Sequence, residues 1–321
     1  MVARSLRIGT RRSALALWQA EHVAERLRSA HPGLEVSLVQ MSTLGDRFLG
    51  RPLAEVGGKG LFVQEIEAAL VRGEVDLAVH SLKDLPSESP LGLILAPPPR
   101  REDARDALVS RTGQRLAGLP QGARIGTSSL RRAVQLRAQR PDAVVVPIRG
   151  NVQTRLDHTL GPSEEPLDAV VLALAGLRRL GLERHVAEAL PLELFVPAIG
   201  QGILGVQQRE ADDHVRELLL PLADPETDLC ARAERSLLAR LGAGCHVPLG
   251  GHARLRGGRL SLLALLGDPA SERSWRIERE APSHAAERLG REVAEELLAG
   301  DGARLLAELA AARESSAPPE S

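Results

Sequence analysis

Tyrosine is absent from this 321-residue chain, which holds only three phenylalanines and two tryptophans. So few aromatic rings exclude the stacking platforms on which single-strand nucleic-acid binders lay bases. Its two cysteines, Cys230 and Cys245, are too few for a zinc cage or a disulfide scaffold, and a reducing, cytoplasmic setting is expected. No run of about 18 apolar residues is present to span a bilayer, and the segment from Met1 to Gly9 has no secretory-signal pattern. With 41 basic and 42 acidic side chains the net charge is −1. No global field therefore draws the chain to nucleic acid or to an anionic membrane, and neither is expected as a partner.

A 43% share of hydrophobic residues and 26% of charged ones is ordinary for a globular enzyme. Short apolar runs alternate with helix-period segments, which implies α/β construction. Leu6–Ile8, Leu34–Val39, Val75–His80 and Leu91–Leu95 read as strands, with helices over Ser13–Arg28 and Gly60–Val71. Three prolines, Pro97 to Pro99, and the charged run after them mark a boundary. Beyond it the rhythm repeats: strands at Arg124–Gly126, Ala143–Val146 and Ala169–Ala173, helices at Ser129–Arg140 and Val152–Thr159. Pro191 and Pro197 bracket a second crossing. The expected division is one α/β lobe over 1–99 with 200–221, a second over 104–196, and a small α+β domain over 225–315.

Arginines gather where strands give way to helices. Thr127-Ser-Ser-Leu-Arg-Arg132 puts Thr127 and Ser129 at a helix start, with Arg131 and Arg132 in its first turn. Ser129 alone reads as an N-cap. Cations beside the positive end of a helix dipole, however, need an anionic partner. Arg149 and Arg155 repeat the pattern one strand later, and Arg11 with Ser13 does so after the first strand. In open α/β sheets ligands collect at the carboxyl ends of strands, so the repetition points to a polyanionic ligand.

Lys83 and Asp84 follow the strand ending at His80, where Asp84 reads as the lone carboxylate among guanidinium groups, suited to holding a cation or moving a proton. Gly57-Gly-Lys-Gly60 lacks phosphate-loop spacing and reads instead as a flap whose Lys59 and Phe62 reach a ligand. Cys245 lies in the glycine-flanked run Leu241-Gly-Ala-Gly-Cys-His246, an accessible thiol suited to a covalent role, whereas Cys230 reads as helix packing. The nine histidines show no ligand spacing, and no metal is expected.

These segments together resemble the porphobilinogen deaminase (hydroxymethylbilane synthase) family. The matches are Arg7-Ile-Gly-Thr-Arg-Arg-Ser13, Val56-Gly-Gly-Lys-Gly-Leu-Phe62, His80-Ser-Leu-Lys-Asp-Leu-Pro86, Gly126-Thr-Ser-Ser-Leu-Arg-Arg132, Arg149-Gly-Asn151, Leu174-Ala-Gly-Leu-Arg-Arg179, Pro197-Ala-Ile-Gly-Gln-Gly202 and the Cys245 loop. The resemblance implies two lobes like those of type II periplasmic binding proteins, plus a small α+β C-terminal domain carrying the cysteine. It implies a transferase that joins four porphobilinogens head to tail, releasing ammonia, on a dipyrromethane cofactor bound to Cys245 through a thioether, and that then frees hydroxymethylbilane. Asp84 is the implied catalytic group. Carboxylate binding falls to Arg11, Lys83, Arg131, Arg132, Arg149, Arg155 and Arg179, with Ser13, Thr127 and Ser129. A monomer is expected. The rival reading is a two-lobed carboxylate receptor without chemistry, with Cys245 merely buried.

Overall fold

The computed structural model describes residues 5–43, 63–162, 165–242, 247–269 and 273–316. Strand β1 (Ser5–Arg11) leads through Ser13 into helix α1 (Ala14–Ala30). Ala16, Ala20, Val23, Ala24 and Leu27 recur there at three- and four-residue spacing, and that stripe is the face the helix buries. β2 (Glu35–Met41), α2 (Gln64–Val71), β3 (Leu77–Ser81) and β4 (Leu93–Leu95) follow. The chain then crosses to a second sheet built from β5 (Asp106–Ser110), β6 (Arg124–Gly126), β7 (Val144–Val146), β8 (Ala169–Ala173) and β9 (Glu188–Ala189). Helices α3 (Leu130–Gln139), α4 (Val152–Leu160) and α5 (Leu174–Arg179) lie between those strands. β10 (Leu204–Arg209) returns to the first sheet, and α6 (Asp213–Leu219) packs beside it.

The two sheets share one plan, ordered β2-β1-β3-β10-β4 and β7-β6-β8-β5-β9. In each, the fourth strand pairs antiparallel with its neighbours, and it is the strand that has crossed from the other lobe. Two exchanged strands make the lobes mutually dependent. This is the type II binding-protein arrangement. β5 falls in a stretch not read as a strand above: polar Asp106 and Ser110 bracket only three apolar residues behind a charged run, yet all five positions are buried.

The C-terminal unit starts at α7 (Pro225–Leu241), where Pro225 occupies the first turn and Asp224 Oδ1 accepts from Thr227 N at 2.8 Å. It ends at Gly242, whose φ of 59° is the left-handed cap glycine favours. An antiparallel meander follows, β11 (Leu249–Arg256), β12 (Arg259–Gly267) and β13 (Ser274–Pro282), then α8 (Ala286–Leu297) and α9 (Ala303–Ser316). Leu237, Leu260, Leu262, Leu266, Leu289 and Val293 form its core, each burial contributing about 1.5–3 kcal/mol. No helix among the described residues is long and apolar enough to cross a membrane.

Candidate active site

Three helices open at strand ends with side-chain caps. Ser13 Oγ accepts from Ala16 N at 3.3 Å, Ser129 Oγ from Arg132 N at 3.5 Å, and Asn151 Oδ1 from Thr154 N at 3.0 Å. Thr127 is buried, and its Oγ1 accepts from Ser129 N at 3.1 Å, which holds the entry to α3. Capping occupies these groups at least in part.

The first lobe's wall is the short 3₁₀ turn Leu82–Asp84 after β3. Its apolar members Leu82 and Leu85 are buried, and Leu82 N donates to Ile203 O at 3.0 Å, so the turn is anchored from beneath while exposed Asp84 points outward. Asp84 shares a cleft with Arg11, Ser13, Gln19, His80 and Ser81. Gln19 Nε2 donates to Ser81 Oγ at 2.9 Å. Burial lowers the His80 imidazole to about 4, with Gln207 opposing and nearby Arg11 assisting, so the ring is neutral. Burial also lowers the half-buried Lys83 amine to about 8. Asp84 and Asp106 pull it upward while Arg132 and Arg131 push it down.

On the second lobe's wall, Arg131 and Arg132 turn inward. They are 4% and 5% exposed and share Asp106, which is fully buried. Arg131 Nη1 donates to Asp106 Oδ2 at 2.7 Å and to Val196 O at 2.6 Å, and Arg132 Nη1 donates to Val171 O at 3.0 Å. Burial opposes the Asp106 charge, but two adjoining guanidiniums outweigh it and hold the carboxyl below the usual range. The anionic partner demanded by the helix start is thus supplied from within the chain, and Asp84 is not the only carboxylate among the arginines. Sequence reasoning missed Asp106 because its strand went unread; a lone acid heading an apolar run was the available signal.

Arg155 Nε donates to Gly150 O at 2.9 Å, and Gly150 adopts φ 96°. A side chain there would collide with Thr154, 2.6 Å from the position of a Cβ. Burial lowers Arg155, and Arg132, Arg149 and Asp84 all lie within its electrostatic reach. Asp84 of one lobe therefore lies near Arg155 of the other, and Lys83 lies near Arg131 and Arg132, which gathers these side chains with Arg149 where the lobes meet. Arg179 stands apart: its Nη2 donates to Gly202 O at 2.7 Å, and its guanidinium lies 5.9 Å from the Trp18 ring centroid. Lys59, Phe62 and Cys245 lie outside the described residues. Cys230 is buried on α7, and burial pushes its thiol up to about 12, which leaves it unreactive. Among the described residues no cluster of His, Cys, Asp and Glu could hold a metal ion.

Residues 6–217 match the family model described as porphobilinogen deaminase, dipyromethane cofactor binding domain, and residues 228–299 match the porphobilinogen deaminase C-terminal domain. The chain belongs to the porphobilinogen deaminase family. Porphobilinogen deaminase of Syntrophotalea carbinolica is 52% identical over 309 residues, covering 96% of this chain and 97% of that one. The porphobilinogen deaminase of Roseiflexus castenholzii is 52% identical over 303 residues, covering 94% and 99%. The periplasmic aliphatic sulphonate binding protein SsuA from Escherichia coli superposes with a TM-score of 0.41 at 13% identity, covering 91% of this chain and 87% of its own. As a porphobilinogen deaminase family member the chain is a transferase of tetrapyrrole synthesis with a dipyrromethane cofactor.

Proposed function

We propose that this chain condenses four porphobilinogens head to tail on a dipyrromethane primer held by Cys245 through a thioether, releasing ammonia at each addition, and then hydrolyses off hydroxymethylbilane. The observation that carries the reading is the pairing of walls: Asp84 on one lobe within electrostatic reach of Arg155 on the other, with Lys83, Arg132 and Arg149 around them. Each pyrrole brings an acetate and a propionate, and guanidinium forks match carboxylates two bonds at a time. Arg11, Arg149 and Arg155 with Lys83 suit those carboxylates, and Ser13, Thr127 and Ser129 add hydroxyls. Arg131 and Arg132 contribute the N–H groups that Asp106, Val171 O and Val196 O leave over, and Arg179 would exchange its Trp18 face for a ligand carboxylate. Such a donor set fits a primer bearing four carboxylates, and the bound primer supplies the nucleophilic ring carbon.

Asp84 accepts the pyrrole N–H and stabilises the cationic ring left when ammonia departs. Lys59 and Phe62 are read from the sequence as flap contacts to the ligand. The functional units are the lobes 1–99 with 200–221 and 104–196, and the domain 225–315 that brings the cysteine. Near-zero net charge and scarce aromatics argue against nucleic acid or an anionic membrane as partner; two cysteines fit a reducing cytoplasm, and the chain is read as a monomer acting on porphobilinogen.

Intact-mass analysis tests the assignment. The purified chain should exceed its sequence mass by two condensed porphobilinogen units, and Cys245→Ala should not. An active wild type of unmodified mass would refute a tethered primer, and a chain that stays both unmodified and inactive when supplied with porphobilinogen would leave the carboxylate-receptor reading for the cleft.

A further inference from the structure

Gln201 belongs to the run Pro197-Ala-Ile-Gly-Gln-Gly202, where the chain passes back toward the first lobe, and it is only 1% exposed. Its amide nitrogen donates to Ala104 O at 2.7 Å and to Asp106 Oδ1 at 2.9 Å. The amide oxygen faces the other way, 3.5 Å from Lys83 Nζ. Its backbone carbonyl accepts from Arg101 Nε at 2.8 Å, and Arg101 is in turn held by Glu234 of α7 through Nη1 at 2.5 Å. One buried amide thus touches the ammonium of one lobe's wall and the carboxylate that orients Arg131 and Arg132 on the other. Through Arg101 its backbone is tied to α7, the helix that precedes Cys245 in the sequence.

The polarity of this amide matters. Asp106 accepts, Lys83 donates, and a primary amide meets both from separate atoms of one neutral side chain. Lys83 also faces Asp84 in its own turn, Arg131 and Arg132 from α3, and Asp106 from β5. Of 41 basic residues only Lys59 and Lys83 are lysine, the rest being arginine. A guanidinium stays charged at every working pH, whereas an amine shifts its proton affinity readily when buried. Lysine at this point of the cleft is therefore a chemical distinction.

We propose that Gln201 is a positioning residue for the reaction, setting Lys83 of one lobe against the Asp106, Arg131 and Arg132 cluster of the other across the interlobe crossing. This rests on the reading of the cleft given above. Its test uses the full chain and amine acetylation by an N-hydroxysuccinimide ester across a pH series, read at the Lys83 peptide by mass spectrometry with Lys59 as internal reference. Gln201→Glu puts a carboxylate beside Lys83 and should raise the pH of half-maximal labelling by about one unit or more. Gln201→Met removes the acceptor and should lower it. Both should reduce kcat/KM for porphobilinogen about tenfold or more, as misplaced cleft groups do. Gln201→Asn, whose amide sits on a shorter stem, serves if Gln201→Met does not fold, and a downward shift is expected there too. Opposite displacements are the signature that a merely structural role would not produce. A Lys83 midpoint that stays put, or moves the same way in both variants, overturns the proposal. Labelling needs no turnover and the primer is read separately by intact mass, so this failure would leave the proposed function standing.

Discussion

Arg132 grips Asp106 Oδ1 through both Nε at 3.0 Å and Nη2 at 2.7 Å, in a region from which water is excluded. Removing the carboxylate strands two buried guanidinium charges at once. Asp106→Asn should therefore destabilise the chain by about 3–5 kcal/mol, the range for breaking a buried ion pair from one side. Urea unfolding monitored by circular dichroism measures it, and a loss below 1 kcal/mol would show that these charges find other compensation.

Asp84 poses the opposite case, an exposed carboxylate on a turn whose anchoring lies in Leu82 and Leu85. Asp84→Asn should leave stability within about 0.5 kcal/mol, as surface changes do. It should also cut turnover by about 10²–10⁴, the usual contribution of a proton-handling group. Steady-state kinetics beside a thermal melt separates the two quantities, and comparable turnover in the variant removes Asp84 from the mechanism.

Lys83 gives a pH signature with a definite sign. Burial places its amine at about 8 in the native chain against 10.5 for the free side chain. Between those values the unfolded chain binds a proton that the native chain does not, so stability rises with pH across that window through this group. The gain is lost again as pH falls through about 8. Lys83→Met should flatten this rise, measured by urea midpoints at pH 8 and pH 10. An unaltered slope would mean the amine keeps its ordinary proton affinity.

Gly290 tests the close approach of α8 to α7. A Cβ there would sit 2.3 Å from Ala233 O and 2.8 Å from Leu237 N, and backbone atoms of a packed helix cannot swing aside. Gly290→Ala should cost about 1–3 kcal/mol despite the better helix propensity of alanine. A raised melting temperature would show that the helices separate freely.

Much of the fold was legible along the chain because helix and strand periods are local. Ser13 and Ser129 cap the helices that their positions predict, and the alternation of periods is that of an α/β pair of lobes followed by an α+β unit. β5 was not legible, since three apolar residues between Asp106 and Ser110 carry too little pattern, and tertiary burial makes them a strand. Within the site, Arg131 and Arg132 stood out because cations oppose a helix N-terminus. Their inward turn did not, because Asp106 lies 25 and 26 positions away. His80 and Gln201 gave no chemical signal of their own; both lie inside quoted motifs, and their roles depend on what surrounds them.

The order of residues by itself determined which groups stand at the strand ends: hydroxyl caps, guanidiniums, one lysine and one exposed acid, since helix starts and turns are set by neighbours within a few positions. Tertiary structure alone decided which charges neutralise one another inside and which are left facing the cleft. Asp106 and Gln201 meet across 95 residues of chain, and at 2.9 Å their partnership depends on how the crossing strands pack.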